Sequence, residues 1–117
     1  MSRRRASLEL SVERRELLLD DLPDLREILR GSLVTRFRRC GKRGCHCARE
    51  GDPGHGPAYY LVVTVRPGKT VQVYVPKDRK EQVEHWIANF AQARQRLEEV
   101  SSLNRELLRE GLLFEEG

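Results

Sequence analysis

The chain of 117 residues has a mass of 13.6 kDa, the length of one domain, which excludes a multidomain enzyme. Hydrophobic residues make up 38% of the chain and charged residues 34%, against about 45–50% and about 25% in typical domains, so we expect a modest core and extended helices. No apolar stretch approaches the roughly 20 residues that cross a bilayer, and we expect a soluble, cytoplasmic protein without membrane contact.

The charges are distributed unevenly along the chain, although the formal net charge is only +4 and the pI is near 9.2. Residues 30–49 contain seven Lys or Arg and no Asp or Glu, whereas the chain from Pro76 onward has seven basic and nine acidic residues. The first of these segments is therefore a candidate surface for a polyanion, and the mixed signs of the second are typical of a solvated helix.

Residues 7–30 form the first predicted structural segment, because their apolar side chains recur at helical spacing. Pro23 interrupts the pattern, and proline is tolerated in the first turn of a helix but not in its interior. The sequence therefore predicts one helix ending near Asp20 and a second, short helix from about Leu22 to Arg30, capped by Gly31. Residues 1–6, which include three consecutive arginines, are predicted to form a disordered basic tail.

A small β-sheet domain is predicted over residues 31–76, where the apolar period changes from helical to alternating. Residues 33–38 read as a strand and residues 51–57 as a loop, because most of the latter are glycine or proline. Residues 58–65 and 70–75 flank a Pro-Gly turn and predict a hairpin, which completes a three-stranded antiparallel sheet. Tyr59 and Tyr60 then point to opposite faces, and we expect Tyr74 and Trp86 to lie in the core.

Residues 77–110 are predicted to form one long helix, since residues 78–109 contain neither Pro nor Gly. Its apolar side chains fit a heptad register that is typical of a coiled coil and predicts a homodimer, with residues 111–117 as a tail. The competing arrangement is packing within the chain against residues 8–29. The predicted dimer contacts are Val83, Trp86, Phe90, Leu97, Val100, Asn104 and Leu107. The fold class expected from all these elements is α+β.

The three cysteines lie within eight residues and cannot pair off completely into disulfides, so they indicate a metal site. Cys40, Cys45, Cys47 and His55 supply the four thiolate and imidazole ligands of a structural zinc site, with His46 as the rival fourth ligand. An iron–sulfur cluster is less favoured because its usual fourth cysteine is missing. Nucleotide-binding and hydrolase motifs are also absent from the sequence, and we expect no catalytic activity.

The chain also resembles a family of small bacterial and archaeal proteins of unknown function, whose genes are often found near transposases and integrases. The resemblance covers about residues 30–109, and it departs from the family pattern at Arg43, where proline is common, and at Ala58, where an aromatic residue is usual. The segments that carry it are residues 30–33, the run Cys-Gly-Lys-Arg-Gly-Cys-His-Cys-Ala, His-Gly-Pro before Tyr-Tyr-Leu, Gly-Lys-Thr at 68–70, Val-Tyr-Val-Pro at 73–76 and Leu-Asn-Arg-Glu-Leu-Leu at 103–108. The resemblance implies no established activity.

Two functions remain open at this point. The first is a zinc-stabilised nucleic-acid-binding protein, with DNA as the expected ligand and a mobile element as the setting. The second is an adaptor whose long helix binds a partner protein such as a recombinase, with the metal site as scaffold. The side chains expected to contact phosphates are Arg36, Arg38, Arg39, Lys42, Arg43, Arg49, Arg66 and Lys69.

Overall fold

A computed structural model describes the backbone of residues 3–111 and the side chains of residues 9–111. It confirms the predicted α+β fold, in which a helix precedes and a longer helix follows a three-stranded antiparallel sheet. The elements are α1 (Arg3–Asp20), β1 (Ser32–Arg38), β2 (His55–Arg66), β3 (Lys69–Val75) and α2 (Lys80–Arg109), with single 3-10 turns at His46–Ala48 and Lys77–Arg79. No helix in this part of the chain is both long enough and apolar enough to cross a membrane.

The sheet has the strand order β1-β2-β3, so the longest strand lies in the middle. β2 begins at His55, three residues before the predicted start, and it therefore includes part of the predicted loop. The register shifts between Arg36 and Arg38 on β1 and between Thr64 and Arg66 on β2. Each shift is a bulge that changes which side chains share a face beyond it.

The two faces of the sheet have different environments. On one face Leu61 and Val75 are buried, and Lys80 of α2 lies over the ring of Tyr59, with its Nζ 5.2 Å from the ring centroid. The backbone N–H of Leu29 also donates to the carbonyl of Trp86, 3.1 Å away, which ties the chain before β1 to the first turns of α2. The opposite face carries the Tyr60–Tyr74 pair and is more open to solvent.

The chain divides into two compact units, of which residues 29–88 form the one that contains the sheet. In the other unit, residues up to 28 pair with those from 89 onward. Three cross-links define this pairing: Arg14–Glu99 at 3.3 Å, Arg15 Nη1–Asn104 Oδ1 at 2.9 Å and Arg96–Asp21 at 2.8 Å. Arg15 contacts Asn104 near the end of α2, whereas Asp21 contacts Arg96 and the Glu27 carbonyl accepts from Asn89 nearer its beginning, so the two segments run antiparallel. The packing within the chain that sequence analysis kept as the competing arrangement is therefore present here.

The stripe of α2 that faces into this unit differs from the predicted heptad seam. Ala93 and Leu107 are 4% and 1% exposed, whereas Leu97 is 55% exposed. Leu107, a predicted seam position, is therefore turned into the unit, while Leu97, another predicted seam position, faces solvent. Asn104, predicted to pair with its counterpart in a second copy, instead accepts a hydrogen bond from Arg15.

The prediction of a second helix from Leu22 to Arg30 is wrong. This segment is a turn and extended chain, in which the Glu27 N–H donates to the carbonyl of Asp24 and the Arg26 N–H donates to the carboxylate of Asp24. Such side-chain to backbone bonds compete with a helix. The helix α1 also begins at Arg3, inside the predicted tail over residues 1–6, while most of the tail predicted over residues 111–117 lies outside the described residues.

Candidate metal centre

The strands and a short turn bring the four predicted ligands together. Cys40 follows the end of β1, Cys45 and Cys47 flank the start of the 3-10 turn, and His55 is the first residue of β2. Arg38 of β1 pairs with His55 across the ladder, so the sheet closes the loop between them at its base. The sheet register therefore fixes one end of the site, and the loop folds the cysteines back toward it.

The ligand atoms of Cys40, Cys45, Cys47 and His55 all lie within 4.8 Å of one another and can hold a metal ion. The Sγ atoms of Cys40 and Cys47 are 3.5 Å apart, and Cys45 Sγ is 3.1 Å from His55 Nε2. In a tetrahedral site with metal–sulfur bonds near 2.3 Å, neighbouring ligand atoms are separated by about 3.5–3.8 Å. The cluster therefore has the size of a closed four-ligand site.

Two glycines beside His55 allow the backbone to approach β1 closely. A Cβ at Gly54, where φ is +99°, would be 2.8 Å from the carbonyl oxygen of Arg38. A Cβ at Gly56, where φ is +149°, would be 2.8 Å from the ring of Phe37. Both positions therefore exclude any residue with a side chain. The imidazole between them is held at the first residue of the central strand.

His46, the rival fourth ligand, lies outside the cluster. Its Nδ1 is 3.1 Å from Oδ2 of Asp52, and its side chain is 56% exposed. The other carboxylate oxygen of Asp52 accepts a hydrogen bond from the Gly54 N–H at 2.8 Å, and its backbone carbonyl accepts one from Arg39 at 2.7 Å. The structure thus places His55, and not His46, with the three cysteines. Asp52 contributes hydrogen bonds to this loop that the sequence pattern does not indicate.

The thiols of the cluster do not ionise independently. The backbone amide of Lys42 lowers the pKa of Cys40, and hydrogen bonds from Cys47 and Cys45 lower it further. The backbone amide of Cys47 also favours the Cys45 thiolate, but the thiols of Cys47 and Cys40 outweigh it and raise the pKa of Cys45. The negative charge of the first thiolate therefore disfavours ionisation of the second thiol. A bound cation would remove this repulsion between thiolates.

Six basic side chains lie on the second half of β1 and in the loop that carries the cysteines, and all six are exposed. Among the side chains of residues 9–111, no carboxylate lies within salt-bridge distance of any of them. The Gly54 N–H lowers the pKa of Asp52, and the positive charge of Arg39, whose guanidinium donates to the Asp52 carbonyl, helps to lower it. Arg36 donates to Gln72. These residues are Arg36, Arg38, Arg39, Lys42, Arg43 and Arg49.

Arg66 and Lys69, which were expected to join this surface, lie at the other end of the sheet. They face each other at the hairpin turn, whereas the metal cluster lies at the opposite end of β2. The 12 residues of β2 run from His55 to Arg66, a length of about 36 Å at about 3.3 Å per residue. The two groups of charges are therefore separate surfaces.

Tyr74 is the clearest error in the predicted core. Its side chain is 59% exposed, and it lies directly opposite Tyr60 on β2. A regular hairpin without a bulge would pair Val65 with Thr70, and it would place Tyr74 on the same face as Leu61. The bulge at Val65 moves the register by one residue and turns Tyr74 to the face of Tyr60.

The fold and the cluster together define a small α+β protein with a closed set of three thiolates and one imidazole. The chain belongs to the family described as Domain of unknown function (DUF6788), whose match covers residues 8–85. The match includes the metal cluster and the whole sheet, and it begins earlier and ends earlier than the resemblance seen in the sequence. Comparison with curated proteins and with solved structures gave no match.

Proposed function

We propose that this chain is a small, non-catalytic nucleic-acid-binding protein whose basic loop is held in shape by a structural zinc ion. The observation that carries the proposal is the group of six exposed cations on β1 and in the loop that carries the cysteines, none of which forms a salt bridge with a carboxylate of residues 9–111. An exposed cation that is not held in a salt bridge remains available to a phosphate.

Zinc is the metal that this donor set fits best. Thiolate and imidazole together select zinc or iron–sulfur chemistry over magnesium or calcium, which prefer oxygen ligands. A four-iron cluster usually takes a fourth thiolate, and the fourth donor here is His55. Because the protein supplies all four ligands, no coordination position is left open for a substrate, so the zinc would be structural.

A loop fixed by a metal suits phosphate binding because its charges are already positioned. Arg38 lies on β1, and Lys42 and Arg43 lie between the first two ligands, so the metal and the sheet restrain their backbone. Binding then costs less conformational entropy than the ordering of a flexible basic tail. The resemblance to proteins encoded near transposases suggests DNA and a mobile element as the setting.

The experiment compares two double charge reversals that change the net charge equally. Lys42→Glu with Arg43→Glu alters the metal loop, and Arg66→Glu with Lys69→Glu alters the hairpin turn about 36 Å away. Binding of each full-length variant to a labelled DNA duplex is measured by anisotropy across a salt series. If the unchanged protein contacts about five phosphates, log K against log salt has a slope near −4.5.

We expect the loop reversal to weaken binding to all sequences and to make this slope shallower by roughly two units, because two phosphate contacts are lost. The hairpin reversal should leave the slope close to that of the unchanged protein. Equal weakening by both reversals would show that only the net charge matters. Absence of binding to both the duplex and its separated single strands at about 50 mM salt would contradict the proposal itself.

An adaptor role is the second candidate, and one observation favours it. The helical unit exposes several leucines, among them Leu97 at 55% and Leu17 at 61%. A second copy of the chain or a partner such as a recombinase would cover them. Sedimentation at tens of micromolar tests the homodimer: we expect a dimer that Leu97→Glu dissociates, and a monomer would contradict it.

A further inference from the structure

The open face of the sheet carries two tyrosines side by side. Tyr60 on β2 and Tyr74 on β3 are directly opposite each other, with ring centroids 5.7 Å apart and planes at 69°. The Tyr74 side chain is 59% exposed, so the contact with Tyr60 leaves much of its surface open to solvent. A flat, rigid and exposed ring is the group on which an unpaired base stacks.

Arg36 adds a positive charge next to the tyrosines. Its guanidinium lies 5.9 Å from the centroid of the Tyr60 ring, and its Nη2 donates to Oε1 of Gln72 at 3.1 Å. The side chain therefore crosses β2 and partly covers Tyr60, while Tyr74 stays open. Gln72 holds the guanidinium in place without neutralising it.

A cavity of about 340 Å³ continues this face toward the metal cluster. Its lining includes Arg36, Arg38, Tyr60 and Gln72 and reaches the metal ligand His55, and none of the lining residues is acidic. The volume is at the lower end of the roughly 300–1,000 Å³ of small-molecule sites. Because of its lining residues, the cavity offers a basic, partly aromatic path from the tyrosine pair to the basic loop.

These features fit a single strand better than a duplex. In a duplex both faces of each base are covered by neighbouring bases, whereas the bases of a single strand can stack on aromatic rings. The phosphate contacts of the basic loop serve either form, but an exposed ring beside an arginine serves only unpaired bases.

We propose that the open face of the sheet binds single-stranded nucleic acid, with one base stacked on Tyr74 and the adjoining phosphates bound by Arg36 and Arg38. This inference rests on the proposed nucleic-acid function and names the form of the ligand. The strand would continue along the cavity to the cations of the metal loop.

The test uses two probes of equal length and charge: a deoxythymidine oligonucleotide and the same backbone without bases. Full-length protein is compared with Tyr74→Ala, with Tyr74→Phe, which keeps the ring, and with Val73→Ala. Val73 is 50% exposed on the same strand but points to the other face, so it is the matched control. A uridine oligonucleotide of the same length measures the preference between DNA and RNA.

We expect Tyr74→Ala to weaken binding of the deoxythymidine probe by about 5- to 100-fold and to leave binding of the baseless probe unchanged. Tyr74→Phe and Val73→Ala should bind both probes like the unchanged protein. Equal weakening on both probes, or no weakening on either, would overturn the inference.

Two further measurements separate this inference from the function on which it rests. If the unchanged protein binds the duplex with the salt dependence given above but Tyr74→Ala has no effect on the deoxythymidine probe, only the single-strand inference fails. If it binds none of the probes, the proposed function fails as well. Tyr74→Leu retains a large apolar side chain, so a loss of binding there without a change in thermal unfolding assigns the effect to the ring.

Discussion

His55→Ala is the substitution that tests the assignment of the fourth ligand most sharply. It removes one of four ligand atoms that lie within 4.8 Å of one another, and it leaves the three thiols in place. His46→Ala is the matched control, because His46 is close in sequence and its ring centroid lies only 4.8 Å from that of His55. The two variants lose the same side chain and differ in whether it reaches the metal.

The size of the effect follows from the number of ligands. Structural zinc sites have apparent binding free energies of about 10–16 kcal/mol, which is about 2.5–4 kcal/mol for each of four ligands. Loss of His55 should therefore weaken zinc binding by about 100- to 1,000-fold. Loss of His46 removes only an exposed contact with Asp52 and should change zinc affinity by less than about fivefold.

Competition with a chromophoric chelator measures both affinities on the purified, metal-loaded protein. We expect His46→Ala to retain zinc at chelator concentrations that strip His55→Ala completely. The reasoning is refuted if His55→Ala holds zinc as tightly as the unchanged protein, and it is also refuted if His46→Ala is the variant that loses the metal.

Two predictions concern the parts of the structure that support the site and the helices. Asp52→Ala should lower zinc affinity by about 10- to 100-fold in chelator competition, because the Gly54 N–H and His46 lose their acceptor. Asp52→Asn should lower zinc affinity less in the same assay, because its amide oxygen can still accept from Gly54. Leu107→Ala should lower the free energy of unfolding by about 2–5 kcal/mol, because Leu107 is 1% exposed. Its neighbour Leu108 is 46% exposed, so Leu108→Ala should lower the free energy of unfolding by less than about half as much. Urea unfolding measures both variants, and equal losses would contradict the packing of α2.

The sequence predicts the grouping of the three cysteines and His55 well because its information is local. Three cysteines within eight residues and a histidine between two glycines leave few alternative partners, and the structure places these four ligand atoms together. The choice between His46 and His55 is harder, because it depends on Asp52. The Asp52 carboxylate accepts a hydrogen bond from Gly54 and contacts His46. The position of Asp52 in the sequence does not indicate this role.

The sequence predicts the extent of the long helix α2 but not which of its faces is buried. The absence of Pro and Gly predicts α2 almost to its observed ends, but the pattern does not say which apolar stripe is buried. Leu107 and Leu97 both fit the heptad, and only Leu107 turns into the helical unit. The partner helix α1 decides this, through contacts such as Arg15 with Asn104 that join residues far apart in sequence.

The face of Tyr74 could not be predicted because one unpaired residue decides it. A regular hairpin with its turn at residues 66–69 places Tyr74 opposite Leu61, on the buried face. The bulge at Val65 reverses this assignment for the remainder of β3. Neither Val65 nor its neighbours carry a glycine or another signal that marks a bulge in advance, so the most informative surface of the sheet appears only in the structure.

The central claim is that a metal-held basic loop binds nucleic acid, and the most direct measurement is DNA binding by one preparation before and after its metal is removed. The affinity and the salt slope are measured for the metal-loaded protein, again after chelation, and again after zinc is restored. We predict that chelation weakens binding and makes the slope shallower, and that zinc restores both. Identical affinity and slope in all three states would contradict the claim.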